Sequence, residues 1–195
     1  MKFNYPYGAT PINEDEASDL IPTHIIFAEE LNEYEEQNII KASIKYFPKH
    51  YQYDEILIFD FLLRVHKDMF NETWKWAGKI RKSMKNIGVD ISQIYEQTKN
   101  LCKDVKYWIE NNTYSFDEIG VRFHHRLVQI HLFPNGNGRH ARFITDLLLK
   151  NTGNLVFTWG SKDLYHKSEA RTNYINALHK ADVNDYIPLL KFVRT

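Results

Sequence analysis

In HLFPNGNGRHAR, His131 to Arg142, a histidine, two glycines and two arginines stand close together. The chain has only eight glycines, yet Gly136 and Gly138 fall here, where helical periodicity resumes. Glycine permits positive φ and close backbone approach, so the loop has the composition of one shaped around a ligand. A helix starting near Asn137 presents unpaired N–H groups and the positive end of its dipole, which together favour phosphate oxygens. Arg139 and Arg142, three apart on the first turn, share one side and offer forked donors to the same oxygens. His131, at the end of the preceding helix, is a general base suited to neutral pH. Alone it would more often be structural; the neighbouring loop is what points to catalysis.

The elements that must position these residues read as helices. Thr23 to Tyr46 and Asp54 to Phe70 carry apolar residues at helical spacing, and Pro48 separates them. Ile94 to Glu110 forms another helix. Ser115-Phe116-Asp117-Glu118 has the form of a capped start to a helix that runs through Phe123 and Leu127 and ends at His131. Arg139 to Lys150 follows the loop, closed by Asn151-Thr152-Gly153. A last long helix is expected over Lys162 to Lys180 and a short one over Ile187 to Val193. Thr73 to Ser92 breaks the rhythm and predicts a small β-hairpin flap. Residues 1–22, rich in proline and acids, read as an irregular N-terminal arm; residues 23–195 form the main domain. The fold class expected is all-α, a helical bundle with one short β-hairpin.

Composition excludes several function classes. The chain has 195 residues, 43% hydrophobic, enough for one full core. Lys+Arg and Asp+Glu are 25 each, so no net field steers the protein to nucleic acid or a membrane, and phosphate recognition must be local. Cys102 is the single cysteine; it rules out an internal disulfide and multi-cysteine zinc patterns, and a cytoplasmic location is expected. No apolar run approaches a membrane span, and the first residues lack the order of a signal peptide. Adjacent His124 and His125 point in different directions and read as core-edge residues rather than metal ligands. The four tryptophans read as packing, and Lys79, Arg81, Lys82 and Lys85 as a solvated basic run or an attractor for an acidic target.

His131, Phe133, Gly136, Asn137, Gly138, Arg139 and Arg142 resemble the signature of the Fic (Fic/Doc) family. Trp76-Ala77-Gly78-Lys79-Ile80-Arg81 is similar to that family's approach to its flap, and Tyr174 to Asp185 to its closing helix. The resemblance covers about residues 56–192. The arm around Gly8-Ala9-Thr10-Pro11 and Leu20-Ile21-Pro22-Thr23 resembles the bacterial subgroup called mobile mystery protein B. What the family implies is an adenylyltransferase (AMPylator) that moves AMP from ATP to a Tyr, Ser or Thr hydroxyl on a protein target, with Mg²⁺ as cofactor. His131 would take the hydroxyl proton. Gly136, Asn137 and Gly138 would hold the α- and β-phosphates, Arg142 the β-phosphate and Arg139 the γ-phosphate. Phe133 would anchor the loop, Tyr174 and Asp182 line the adenine pocket, and Ile87, Gly88 and Val89 in the flap pair with the target backbone. The subgroup implies a small helical DNA-binding antitoxin partner. A homodimer is also among the partners the sequence allows.

Two positions depart from the family pattern. Leu132 replaces a proline. Asn135 replaces the acid that holds Mg²⁺, and its amide oxygen brings no charge, so the ion is expected to bind weakly or lean on the nucleotide. That leaves a rival from another class, a degenerate domain that binds nucleotide or a partner without turnover. Phosphate transfer of the Doc type is disfavoured, because those relatives carry Ala and Lys where Gly136 and Gly138-Arg139 stand. Many relatives also carry an inhibitory glutamate that pairs with the second arginine. No stretch matches its motif cleanly, and Glu36 is the candidate for contact with Arg139.

Overall fold

The helical periodicities become helices packed around one central antiparallel pair, and no β-sheet forms among the described residues. The computed structural model describes residues 8, 10–25, 27–161, 164 and 168–195. In chain order the helices are α1 (Glu14–Ser18), α2 (Ala28–Tyr46), α3 (Tyr53–Ile56), α4 (Phe59–Phe70), α5 (Ile94–Glu110), α6 (Phe116–Ile130), α7 (Asn137–Asn151), α8 (Glu169–Asp182) and α9 (Ile187–Phe192). No helix among the described residues is long and apolar enough to cross a membrane.

The pair α6–α7 packs together along its length because Phe123, Leu127 and Ile130 of α6 meet Ala141, Ile144 and Leu148 of α7, all buried. Each large side chain removed from water in this way contributes about 1.5–3 kcal/mol. Helices α2, α4 and α5 close the first core through Leu31, Ala42, Leu62, Val65, Met69, Leu101 and Val105. A second core forms where α8 and α9 bring Tyr174, Leu178 and Leu189 against Val121 and Leu149. The loop between His131 and Asn137 lies at one end of this arrangement, with both flanking helices fixed by burial.

Boundaries moved where local chemistry competed with periodicity. Helix α2 starts at Ala28, not Thr23, because Glu30 reaches back and accepts the Phe27 N–H at 3.2 Å. The expected helix over 54–70 is broken at Leu57 and Ile58. Ile58 is extended, and its carbonyl accepts the N–H groups of Phe61 and Leu62 at 3.0 and 3.2 Å to begin α4. Helix α7 starts at Asn137, where the phosphate-favouring helix start was expected, two residues ahead of the apolar run from Arg139. For the last long helix the expected start at Lys162 lies outside the described residues; the described helix begins after Ser168, whose Oγ accepts the Arg171 N–H at 3.0 Å. The arm is not irregular throughout. Asn13 and Glu16 form a reciprocal capping box that starts α1, a signal the proline-rich context obscured.

The β-hairpin expected over Thr73 to Ser92 does not form. Its two sides do not pair with each other; Arg81 N–H bonds to Leu132 O at 2.9 Å and Val89 N–H to Ile130 O at 3.4 Å. The carbonyls between are claimed by the buried Arg81 guanidinium, which donates to His131 O at 2.6 Å, to Ser83 O at 3.1 Å and to Val89 O. One side chain thus replaces a strand ladder, and the flap is an arch held on the end of α6. Arg81 is therefore not part of a solvated basic run. Lys85 is not either, since it is ion-paired with Glu16 in α1.

Candidate functional site

Helix α6 ends with His131 in the left-handed conformation (φ 56°), which turns the chain out of the helix and leaves the imidazole at the loop. Phe133, fully buried, stacks on His66 of α4 with ring centroids 3.6 Å apart. Asn137 clamps the loop, its amide oxygen accepting Phe133 N–H at 2.9 Å and its amide nitrogen donating to Phe133 O at 2.8 Å. Gly136 supplies the positive φ (77°) that starts α7, and a Cβ there would stand 2.7 Å from the Phe70 ring. Gly138 differs. An added Cβ would make only ordinary contacts, with Arg142 and Tyr174 atoms at 3.8 Å, so nothing close demands glycine there. Of the two glycines, Gly136 shapes the turn, and Gly138 lines the cavity with room for a side-chain carbon.

These residues open on one cavity of about 650 Å³, within the size range of small-ligand sites. Its walls include His131, Asn135, Gly136, Asn137, Gly138, Arg139, Arg142, Tyr174 and Asp182, and Ile87, Gly88 and Val89 of the flap. Phe133 does not reach it; the ring acts through the loop it anchors. Tyr174 is buried, donating or accepting at 2.8 Å with His124 Nε2, while Arg142 lies 5.6 Å from its ring centre. Asp182 sits at the rim and holds His125 Nε2 at 2.9 Å and the Gln129 amide at 2.7 Å. Adjacent His124 and His125 thus each bond a different residue of α8 through Nε2. Among the described residues no group of three or more His, Cys, Asp or Glu could hold a metal.

Burial pushes the His131 imidazole down to about 4, despite a nearby Val128 carbonyl that favours the charged ring. The ring is therefore a free base at neutral pH, with Nε2 directed into the cavity, 3.2 Å from Thr10 Oγ1. The electrostatics of the arginines are unequal. Arg139 forms an ion pair with Glu35 at 2.6 Å, with both side chains largely buried, and reaches Asn135 Oδ1 at 3.3 Å. Glu35 also accepts Trp74 Nε1–H at 2.7 Å. Glu36, the residue expected on Arg139, is exposed, and it is Glu35 that pairs with Arg139. The correction has a simple origin. Leu31, Glu35, Asn38 and Ala42 form the buried stripe of α2, and Glu36 lies off it.

His66 is a second residue that periodicity alone did not single out. Gly78 N–H donates to its Nδ1 at 3.0 Å, which leaves the proton on Nε2, and that proton goes to Asn135 O at 3.1 Å. A neutral imidazole thus ties the turn after Trp76-Ala77 to the phosphate-loop candidate. Burial, with His140 and Arg139 nearby, keeps its pKa well below the usual value. Thr10 falls in the arm resemblance and in a stretch, Thr10 to Glu14, that fails the inhibitory motif because Asp15 follows, and nothing in its local sequence reveals that it meets His131.

Residues 56–149 match the model of the Fic/DOC family. The chain is 28% identical over 145 residues to protein adenylyltransferase fic-1 of Caenorhabditis elegans, covering 73% of this chain and 27% of that protein. It therefore spans about a quarter of the length of the curated relatives it matches. Among solved structures, an N-terminal Fic domain of a Bep effector from Bartonella quintana superposes with a TM-score of 0.70 at 18% identity, covering 96% of this chain and 87% of that one. BepC of Bartonella tribocorum, solved with bound AMPPNP, gives 0.69 at 16% identity, covering 93% and 96%. Residues 134–508 of C. elegans Fic-1 give 0.68 at 23% identity, covering 91% and 51%.

Proposed function

Because the chain carries a Fic/DOC family domain, we propose that it transfers AMP from ATP to a hydroxyl of a protein. One observation carries this reading: His131 Nε2, the Gly138 backbone at the start of α7, Arg139 and Arg142 open on the same cavity. The reaction needs no nucleophile of the enzyme's own, only positioning, charge stabilisation and a base. His131 takes the hydroxyl proton as the oxygen attacks the α-phosphate. The amides of the first turn of α7 and Arg142 hold the α- and β-phosphates. Arg139 holds the γ-phosphate once it leaves Glu35, and Tyr174 and Asp182 border the adenine. Ile87, Gly88 and Val89 seat the target. Supplying the protein with α-labelled and γ-labelled ATP tests the reading. Label from the α-position supports AMP transfer, label from the γ-position supports phosphate transfer, and ATP binding with neither supports a binding module.

The residues present do not by themselves build a Mg²⁺ site. The side-chain oxygen expected to hold it, Asn135 Oδ1, is neutral and already accepts Gly136 N–H at 2.7 Å and Arg139 at 3.3 Å. Any Mg²⁺ would have to arrive on the triphosphate. Asn135→Asp adds the missing charge, and we expect ATP binding to become more steeply dependent on magnesium. A titration showing the same dependence in both proteins would refute this role.

The Arg139–Glu35 pair is the inhibitory contact in this reading. Glu35→Gln removes the charge but keeps an acceptor for Trp74 Nε1, so folding is spared while Arg139 is released. We expect ATP to bind about tenfold more tightly, equivalent to ~1.4 kcal/mol. Glu36→Gln should leave the affinity as it is, and calorimetry that finds equal affinities for wild type and Glu35→Gln would remove the lock from the account. The protein target and the helical DNA-binding partner remain proposals resting on the family resemblance.

A further inference from the structure

The N-terminal arm lies across the candidate site. Gly8 comes against Ile175 of α8, where a Cβ would be 2.8 Å from its Cδ1. Two residues on, Thr10 Oγ1 stands 3.2 Å from His131 Nε2, and its carbonyl accepts the Asn135 amide at 3.0 Å. The chain then follows the flap. Lys85 donates to Pro11 O at 3.2 Å, Asn13 donates to Ser83 Oγ at 3.4 Å, and Ser83 donates to Glu16 Oε1 at 2.9 Å. Lys85 also pairs with Glu16, both side chains being mostly buried, and Trp76 Nε1–H reaches Glu16 O at 3.2 Å.

Two features go beyond a steric plug. A plug needs bulk at the cavity mouth, whereas here a secondary hydroxyl is set on the ring nitrogen that must accept a proton. The backbone at that hydroxyl is also held from both sides, by Asn135 of the phosphate loop and by Lys85 of the flap, as a docked substrate segment would be. Asn135 contributes this bond through an N–H that a carboxylate at the same position would lack.

We propose that Thr10 is an intramolecular acceptor, a modification site on which this protein places AMP. The inference rests on the transferase reading above. In the step the Thr10 O–H bond breaks and its proton passes to His131 Nε2, which later releases it to solvent. The Oγ–Pα bond forms as the bond from Pα to the leaving pyrophosphate breaks. The products are a threonyl-AMP phosphodiester and pyrophosphate. With Thr10 in place an outside hydroxyl has no access to Nε2, so the arm must withdraw before another protein is modified.

The test uses the full chain, as wild type and as Glu35→Gln, with ATP and magnesium, followed by digestion and tandem mass spectrometry. The expected result is AMP on Thr10, retained in Thr10→Ser and lost from that position in Thr10→Val. The rate constant should not change when the protein is diluted tenfold. AMP found only on other hydroxyls would overturn the proposal and leave the transferase reading standing. A rate constant that falls with dilution would overturn the intramolecular assignment. Absence of AMP from every hydroxyl of both proteins, and from added proteins, would remove the proposal together with the reading beneath it.

Discussion

His131→Ala and His131→Asn should both lose AMP transfer by about 10²–10⁴-fold, the usual worth of a general base, while ATP binding changes little. The separation is expected because the imidazole faces the acceptor hydroxyl, 3.2 Å from Thr10 Oγ1, whereas the phosphate donors belong to α7 and its arginines. Two variants are needed because His131 sits at φ 56°. Alanine is uncomfortable in that region, whereas asparagine tolerates it, so a loss shared by both comes from the missing base and not from strain. The backbone is also held independently of the side chain, by the Arg81 guanidinium on His131 O at 2.6 Å. Transfer of α-label that survives in His131→Asn would show that another group accepts the proton.

The second large effect is on acid stability. His66, His124 and His140 are fully buried with pKa values pushed down, His140 to about 3, and burial lowers His125 and His131 as well. A histidine whose folded pKa lies below its unfolded value binds more protons when unfolded. Stability is therefore whole above the unfolded value and falls as pH drops beneath it. Each such group contributes a slope of up to ~1.4 kcal/mol per pH unit, so His140 alone removes about 2 kcal/mol between neutral pH and about pH 5, and His66 and His124 act in the same direction. Asp146 works in the opposite sense. Burial raises it to about 6, against hydrogen bonds from Trp159 and Phe157 that favour the charged form, so it returns about 1 kcal/mol over the same interval. With several buried histidines acting against one aspartate, the net effect is a loss of stability on acidification, and a typical domain has only a small margin to lose. Urea titrations at the two pH values check it, and equal stabilities would contradict the burial of neutral imidazoles. His140→Gln, which keeps an N–H for Leu62 O, should flatten the slope by about one histidine's share.

The loss of uncharged histidines would act at the site as well as on the fold. His66 holds Asn135 O with one ring nitrogen and accepts Gly78 N–H with the other. A second proton would place N–H against N–H and free the turn from the loop. In the folded chain this takes a pH well below the ordinary histidine range, because burial keeps His66 neutral, so the loop stays tied while the global stability is already declining.

What was legible from residue order was what repeats locally. Apolar spacing of three and four located α5, α6 and α7, because burial of one helix face is written into the positions that face it. The loop chemistry was legible for the same reason: His131, Gly136, Gly138, Arg139 and Arg142 lie within one turn-and-helix start, so spacing alone brings them together. Where two local signals competed, as at Phe27 with Glu30 or Ile58 ahead of Phe61, the boundary moved by a few residues.

Only the tertiary structure decided which distant groups meet them. Glu35 rather than Glu36 reaches Arg139 because the buried stripe of α2 is set by packing on α4, not by motif. The flap is an arch and not a hairpin because Arg81, buried against the end of α6, claims the carbonyls that a second strand would have taken. Thr10 reaches His131 across 121 positions of sequence, through a path held by side chains of the flap. Such contacts leave no period in the sequence. They depend on which burial and hydrogen-bonding partners remain available after the helices have packed.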